Sequence, residues 1–157
     1  MNAIMLSGGW ESALCLIVAL ENNDGHAFFF NYGQPYKEQE LKAVYKLQEK
    51  FAFDLSVIDV TINEIKKGIY IDRNEIFIKH IAEKGYEDIY FGCRNLLKVM
   101  DKYNDSNKQF AMKMEKKYNV SIHTPALLMP KSIVKSFVKS HGITEEQIFS
   151  SEGYVYE

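Results

Sequence analysis

The sequence is poor in the residues that build metal and disulfide frameworks. Its 157 residues include two cysteines, Cys15 and Cys93, which form no Cys-x-x-Cys pair, and four histidines, His26, His80, His123 and His141, whose spacing suits no ligand set. No zinc site is expected, and the cysteines read as small buried hydrophobes of a reducing compartment. Charge is nearly balanced, at a formal -2. Without a basic excess, a grip on long nucleic acid is not expected. No apolar run reaches the roughly 18 residues that mark a membrane-spanning helix. Met1-Asn2 leads straight into an apolar segment with neither a basic region nor a cleavage site, so no signal peptide is expected and the protein reads as cytoplasmic. Repeats, low-complexity tracts and linkers are missing too. What is present, 46% hydrophobic residues over 157 positions, suffices for one globular domain over residues 1–157 with a real core.

The most informative stretch is Ala3-Ile4-Met5-Leu6-Ser7-Gly8-Gly9-Trp10-Glu11-Ser12. A strand-length apolar run ends in Ser-Gly-Gly, and the segment from Ala13 to Leu20 is apolar on nearly every face, as in a buried helix. Glycine lets backbone approach a ligand closely, and the first N–H groups of a helix lack internal partners and lie at the positive end of its dipole. Such a turn is an anion seat. The Ser7 and Ser12 hydroxyls add donors, and Glu11 adds a carboxylate suited to Mg²⁺ beside a phosphate. The spacings of a Walker loop and of Gly-x-Gly-x-x-Gly are both absent.

Along the chain, His26 to Asn31 reads as a second strand buried on both faces, and a helix to Phe51 follows the break at Tyr32-Gly33-Gln34-Pro35. Leu55 to Val60 is a third strand, Thr61 to Arg73 is irregular, and a helix carrying Ile76, Phe77, His80 and Ile81 stops at Lys84-Gly85. Asp88 to Gly92 is a fourth strand. The polar stretch 101–107 reads as a substrate lid before a helix buried through Phe110, Ala111, Met114 and Tyr118. Val120 to Thr124 is a fifth strand, and Pro130 opens a helix packed by Ile133, Val134, Phe137 and Val138. Thr144-Glu145-Glu146-Gln147 has the form of a capping box. The alternation predicts an α/β fold, a doubly wound five-stranded parallel sheet with helices on both faces, and places the ligand at the carboxyl ends of the strands.

Ser7-Gly8-Gly9-Trp10-Glu11-Ser12 resembles the Ser-Gly-Gly-x-Asp-Ser loop of the ATP pyrophosphatases, the PP-loop superfamily, with Glu11 in place of aspartate. Further stretches resemble one branch, the 7-cyano-7-deazaguanine synthases of queuosine biosynthesis. They are Phe30-Asn31-Tyr32-Gly33-Gln34, Arg73-Asn74-Glu75-Ile76-Phe77, Tyr103-Asn104-Asp105, and Thr124-Pro125-Ala126-Leu127 with Lys131-Ser132-Ile133-Val134. Ala43 falls where that family keeps a small residue. The departures are Tyr36 and Gln39 for its histidine and glutamate, with Glu38 and Glu40 adjacent, and Ile71-Asp72 for its Pro-Gly. Its four-cysteine zinc site, which begins near the position of Ser150-Ser151, has no counterpart in these residues.

The resemblance implies a Rossmann-like fold of the adenine nucleotide α-hydrolase kind. It also implies a ligase that cleaves ATP between the α and β phosphates, transfers AMP to a small carboxylate or carbonyl and releases pyrophosphate. In the branch named, 7-carboxy-7-deazaguanine becomes the nitrile with ATP and ammonia. ATP and Mg²⁺ are the expected cofactors. Ser7, Gly8, Gly9, Trp10, Glu11 and Ser12 would hold the phosphates, Tyr32, Gly33 and Gln34 would line the nucleotide, and Glu11 would carry Mg²⁺. Glu11, Lys131 and Arg73 are the expected catalytic residues, and Arg73, Asn74, Tyr103 and Asp105 the substrate contacts. A small-molecule substrate is expected, with a second copy or another protein completing the site where the zinc element is missing. The alternative is a nucleotide-binding module with weakened turnover that acts through a partner.

Overall fold

The structure, a computed structural model, describes residues 2–22, 24–66, 69–70, 72–93 and 107–150. The apolar run at the start forms β1 (Asn2–Met5), and the segment after Ser-Gly-Gly forms α1 (Trp10–Asn22). Next come β2 (Gly25–Asn31), α2 (Lys37–Phe51) and β3 (Asp54–Asp59). Two short strands, β4 (Ile65–Lys66) and β5 (Ile69–Tyr70), precede α3 (Arg73–Glu83) and β6 (Asp88–Tyr90). The remainder is α4 (Lys108–Tyr118), β7 (Ser121–His123), α5 (Lys131–Ser140) and a 3₁₀ turn, Glu145–Gln147.

Five strands form one parallel sheet in the order β3-β2-β1-β6-β7. The chain leaves β1 toward β2 and β3, then returns to add β6 and β7 on the other side. The reversal at β1 opens a crevice between the carboxyl ends of β1 and β6, the usual ligand position in a sheet of this kind. Side chains alternate across the sheet with the strand period of two. Ile4, Leu6, Ala27 and Phe29 belong to a core shared with α1, α2 and α5, whereas Ala3, Met5, Phe28 and Phe30 belong to one shared with α3 and α4. Both sheet faces are thus covered, which is why the central strands read as unbroken apolar runs.

Cys15 and Cys93 are buried and unpaired with each other. Burial pushes both thiols up, that of Cys93 to about 11, so neither is a ready nucleophile. No helix among the described residues is long and apolar enough to cross a membrane.

Local expectations shift in three places. The irregular stretch contains the antiparallel β4–β5 ribbon, whose strands of two residues are too short to show a period. The fourth strand ends at Tyr90, so Phe91 and Gly92 belong to the loop above it. Ile133 is 52% exposed, whereas Val134 and Val138 are buried. A buried stripe that follows residues 134 and 138 along one side of a 3.6-residue helix leaves position 133 outside it. Ile133→Ala should therefore change stability by less than about 0.5 kcal/mol, and Ile78→Ala, at a fully buried position, should cost about 2–5 kcal/mol in urea unfolding.

Candidate active site

The turn from β1 to α1 is held by its own hydroxyls. Ser7 N–H donates to Ser12 Oγ at 3.1 Å, Ser12 Oγ–H donates to Gly9 O at 3.2 Å, and the two serine hydroxyls lie 3.2 Å apart. Ala13 N–H closes the first helical turn onto Gly9 O at 3.0 Å. Gly8 has φ of +87°, and a Cβ there would stand 2.8 Å from Glu40 O and 3.0 Å from Ala43 Cβ. Only glycine fits against α2 at this point, and only a small residue fits opposite it at position 43. Gly9 differs, because a Cβ there meets nothing closer than 3.6 Å. The fold needs Gly8, whereas a Cβ at Gly9 would make only ordinary contacts, with Ser7 Oγ and Phe149 O. On the other flank a Cβ on Gly92 would come within 2.9 to 3.0 Å of Glu11 and of Ser12 N, so the loop after β6 packs directly on the first turn of α1. From the carboxyl-terminal side, Phe149 N–H donates to Gly8 O at 2.9 Å.

A cavity of about 180 Å³ opens beside this turn at the strand ends. Ser7, Glu11, Ser12, Tyr32, Gln34, Arg73 and Asn74 line it, together with Phe28, Phe30, Phe77, Glu40 and Gly92. Among its aromatic lining residues, the Phe30 and Phe77 rings stack on each other at 4.3 Å and 4°. Lys131, at the start of α5, donates to Glu11 Oε1 at 2.8 Å, and both side chains are largely buried, at 24% and 14% exposure. Arg73 Nη1–H donates to Tyr32 Oη at 3.2 Å with its guanidinium 5.6 Å from the Tyr32 ring centre, and the Tyr32 and Tyr36 hydroxyls lie 3.4 Å apart. Burial pushes the Tyr32 phenol up against the opposing pull of Arg73.

Glu40 is the acid that sequence reasoning did not place in the site. Residues 38 and 39 face solvent, but the first turn of α2 carries Glu40 inward, where it is 5% exposed. Gln34 Nε2–H donates to Glu40 Oε1 at 2.9 Å and to Phe30 O at 3.1 Å, and Gln34 Oε1 accepts from Tyr32 N at 2.9 Å. Burial raises the Glu40 carboxyl to about 7, against the opposing effects of Gln34 and Arg73. The signal in sequence was a lone acid on the helix face of Ala43, Val44 and Leu47, four residues from Val44 and seven from Leu47. Gly92 was also missed as a site residue, although a glycine at the end of a strand beside the crevice is a mark of close backbone approach.

Two of the expected contacts take particular positions. Trp10 offers its backbone at the helix start, but its side chain is 5% exposed in the α1 core, with the ammonium groups of Lys135 and Lys139 at 5.6 and 5.8 Å from the ring centre. Gly33 is exposed at a φ of +86° and does not line the cavity; it shapes the turn after β2. Asp72, where the family has glycine, takes a left-handed φ of 56° that glycine would adopt without strain. Tyr103, Asp105 and most of the expected lid lie outside the described residues.

Comparison with known proteins decides the kinship. A family model described as queuosine biosynthesis protein QueC matches residues 2–100. The chain belongs to the QueC family. Among QueC-type relatives, the 7-cyano-7-deazaguanine synthase of Methanococcus maripaludis is 46% identical over 91 residues, which are 57% of this chain and 37% of that protein. The synthase of Methanobrevibacter smithii is 38% identical over 73 residues, 46% of this chain and 32% of its own length. The synthase of Nitratiruptor is 29% identical, with 94% of this chain and 82% of that protein covered. The matched stretches thus span about a third of the first two relatives and most of the third. A solved structure titled as a predicted subunit of tRNA methyltransferase from Methanocaldococcus jannaschii superposes with a TM-score of 0.62 at 18% identity, over 88% of this chain and 74% of that one. At that identity it shows the shared fold.

The Glu40 carboxyl links the site to stability. Its folded value, about 7, exceeds the ordinary 4.5, so the stabilisation it contributes is complete below about pH 4.5 and is lost as pH rises through 7. The full shift corresponds to about 3 kcal/mol, at about 1.36 kcal/mol per pH unit. Glu40→Gln cannot titrate. The difference in unfolding free energy between Glu40→Gln and the parent, measured in urea at pH 5 and pH 8, should move by about 1–3 kcal/mol in favour of the variant at pH 8. A difference that does not change with pH would contradict this placement of Glu40.

Proposed function

We propose that the chain is an ATP-dependent synthase that adenylates a small carboxylic acid, with 7-carboxy-7-deazaguanine the first candidate, and releases AMP and pyrophosphate. The observation that carries the reading is the convergence of the Ser7–Ser12 turn, the Glu11–Lys131 pair and Arg73 on one crevice at the sheet's reversal point. The residues present fit a nucleotide phosphate. The turn offers helix-start amides and two hydroxyls, and Gly9, with no side chain, lets a ligand approach its backbone. Lys131 is the cation nearest the loop acid and would take up charge on the departing pyrophosphate. Glu11 would hold Mg²⁺ on the phosphates, where the ion neutralises their charge. Arg73 presents a guanidinium that can bind a carboxylate bidentately, and Tyr32 orients it from below. The aromatic lining residues suit a planar heterocycle. The cavity is smaller than the roughly 300 Å³ at which ligand pockets usually begin, so it would seat the reacting end of the ligands rather than all of them.

The QueC relatives support the substrate class, because they are named for this product. The test is release of AMP and pyrophosphate from α-labelled ATP with Mg²⁺ and a panel of purine-like acids. Release should depend on the acid. Gly9→Val should weaken ATP binding at least tenfold with the urea midpoint kept near that of the parent, since a Cβ at position 9 would make only ordinary contacts, with Ser7 Oγ at 3.6 Å and Phe149 O at 3.7 Å. Lys131→Ala should lower the rate by about a hundredfold, and Glu11→Ala should do so with a binding defect seen only when Mg²⁺ is present. If no acid elicits AMP while ATP still binds at the loop, the chain is a nucleotide-binding module and the enzyme reading fails.

A further inference from the structure

Glu40 is the buried acid that the adenylation step leaves without a task. Its side chain lines the same cavity as Glu11, Ser12 and Arg73, and is 5% exposed. Gln34 Nε2–H holds Oε1 at 2.9 Å, and Oε2 receives no hydrogen bond from a described residue. The group hydrogen-bonded to Glu40 is therefore a neutral amide. Around the cavity the other titratable and charged groups are Glu11 on α1, Tyr32 after β2 and Arg73 on α3. Glu11 is paired with Lys131, and Arg73 donates to Tyr32 while its charge also bears on Glu40 without a hydrogen bond to it. A buried carboxylate with an open oxygen attracts a small cation and repels an anionic nucleophile such as a thiolate or a second carboxylate.

We propose that Glu40 Oε2 is the seat of the nitrogen nucleophile, binding ammonium or a primary ammonium ion beside the activated carboxyl and taking a proton from it. This rests on the adenylation reading. Bound ammonium passes one proton to Glu40 Oε2, which frees the nitrogen lone pair. The lone pair attacks the acyl carbon, a C–N bond forms, and the C–O bond to AMP breaks with its electron pair leaving on the AMP oxygen. The surplus N–H proton goes to solvent, and the products are the amide, AMP and protonated Glu40, which releases its proton in turn. Its raised proton affinity, near 7, suits a group that must hold a cation and accept a proton at neutral pH.

Glu40→Gln keeps the size of the side chain and an acceptor for Gln34, so it removes charge and basicity alone. With an acid that supports turnover, acid-dependent exchange of pyrophosphate into ATP reads the adenylation step by itself, and it should fall far less than amide formation does. Amide formation from ammonium chloride at pH 7 should fall at least a hundredfold, within the range general-base catalysis supplies. Hydroxylamine, already neutral at that pH, should still form hydroxamate at close to the parental rate. Unchanged amide formation would overturn the proposal. So would a parallel loss of ATP binding, exchange and amide formation, which would assign Glu40 to the nucleotide.

A measurement on the parent protein needs no turnover. The ¹³C carboxyl signal of Glu40, assigned by its loss in Glu40→Gln or its displacement in Glu40→Asp, should shift with ammonium chloride and not with sodium chloride. No shift overturns the seat even where exchange is normal. Absence of acid-dependent exchange in the parent defeats the adenylation reading, and the ammonium titration still decides whether Glu40 binds the cation.

Discussion

The contact of Gly8 with the first turn of α2 sets the geometry on which the rest of the site depends. No side chain can stand at position 8, because the Glu40 carbonyl and the Ala43 methyl are already within 3.0 Å of where it would begin. The same turn of α2 that supports the loop from behind carries Glu40 into the cavity, so loop shape and the buried acid come from one packing event. Gly92 makes the matching contact from β6, against Glu11 and Ser12. A loop clamped on both flanks has little freedom to reorganise, which is the condition under which the proposed phosphate site would stabilise developing charge by fixed dipoles.

Each charged group of the crevice has a polar partner, and Arg73 bears on Glu40 as well as on Tyr32. Lys131 holds Glu11, Tyr32 holds Arg73, and Gln34 holds Glu40. These hydrogen bonds hold the three groups in place around the cavity. Both side chains of the Lys131–Glu11 pair are largely buried, so a ligand that opens it must supply new partners for the two charges.

Much of this was legible in the residues. The β-α-β-α-β order, the sheet's reversal and the position of the loop follow from apolar periodicity and two glycines, because the central strands are buried on both faces and tolerate little polar interruption. The Ser7–Ser12 turn and Arg73, several of whose residues line the cavity, stood in recognisable strings. Glu40 did not, since its neighbours Glu38 and Gln39 are equally polar, and only the helix phase, set by Ala43, Val44 and Leu47, tells which of the three turns inward. The β4–β5 ribbon escaped notice because two-residue strands carry no period. Ile133 misled because apolar character alone does not fix which side of a helix is buried. Gly33 was read as a ligand contact and its positive φ is a turn requirement, and a string match cannot separate those two reasons for a glycine.

The central claim is that phosphate lies on the Ser7–Ser12 turn, and backbone amide NMR tests it most directly. On titration with ATP and Mg²⁺, the amide signals of Gly9, Trp10, Glu11 and Ser12 should shift in saturable fashion, as should the Lys131 ammonium when its pair with Glu11 opens, while the β4–β5 amides stay still. Saturable shifts confined to another part of the sheet, with the loop amides unmoved, would contradict the account.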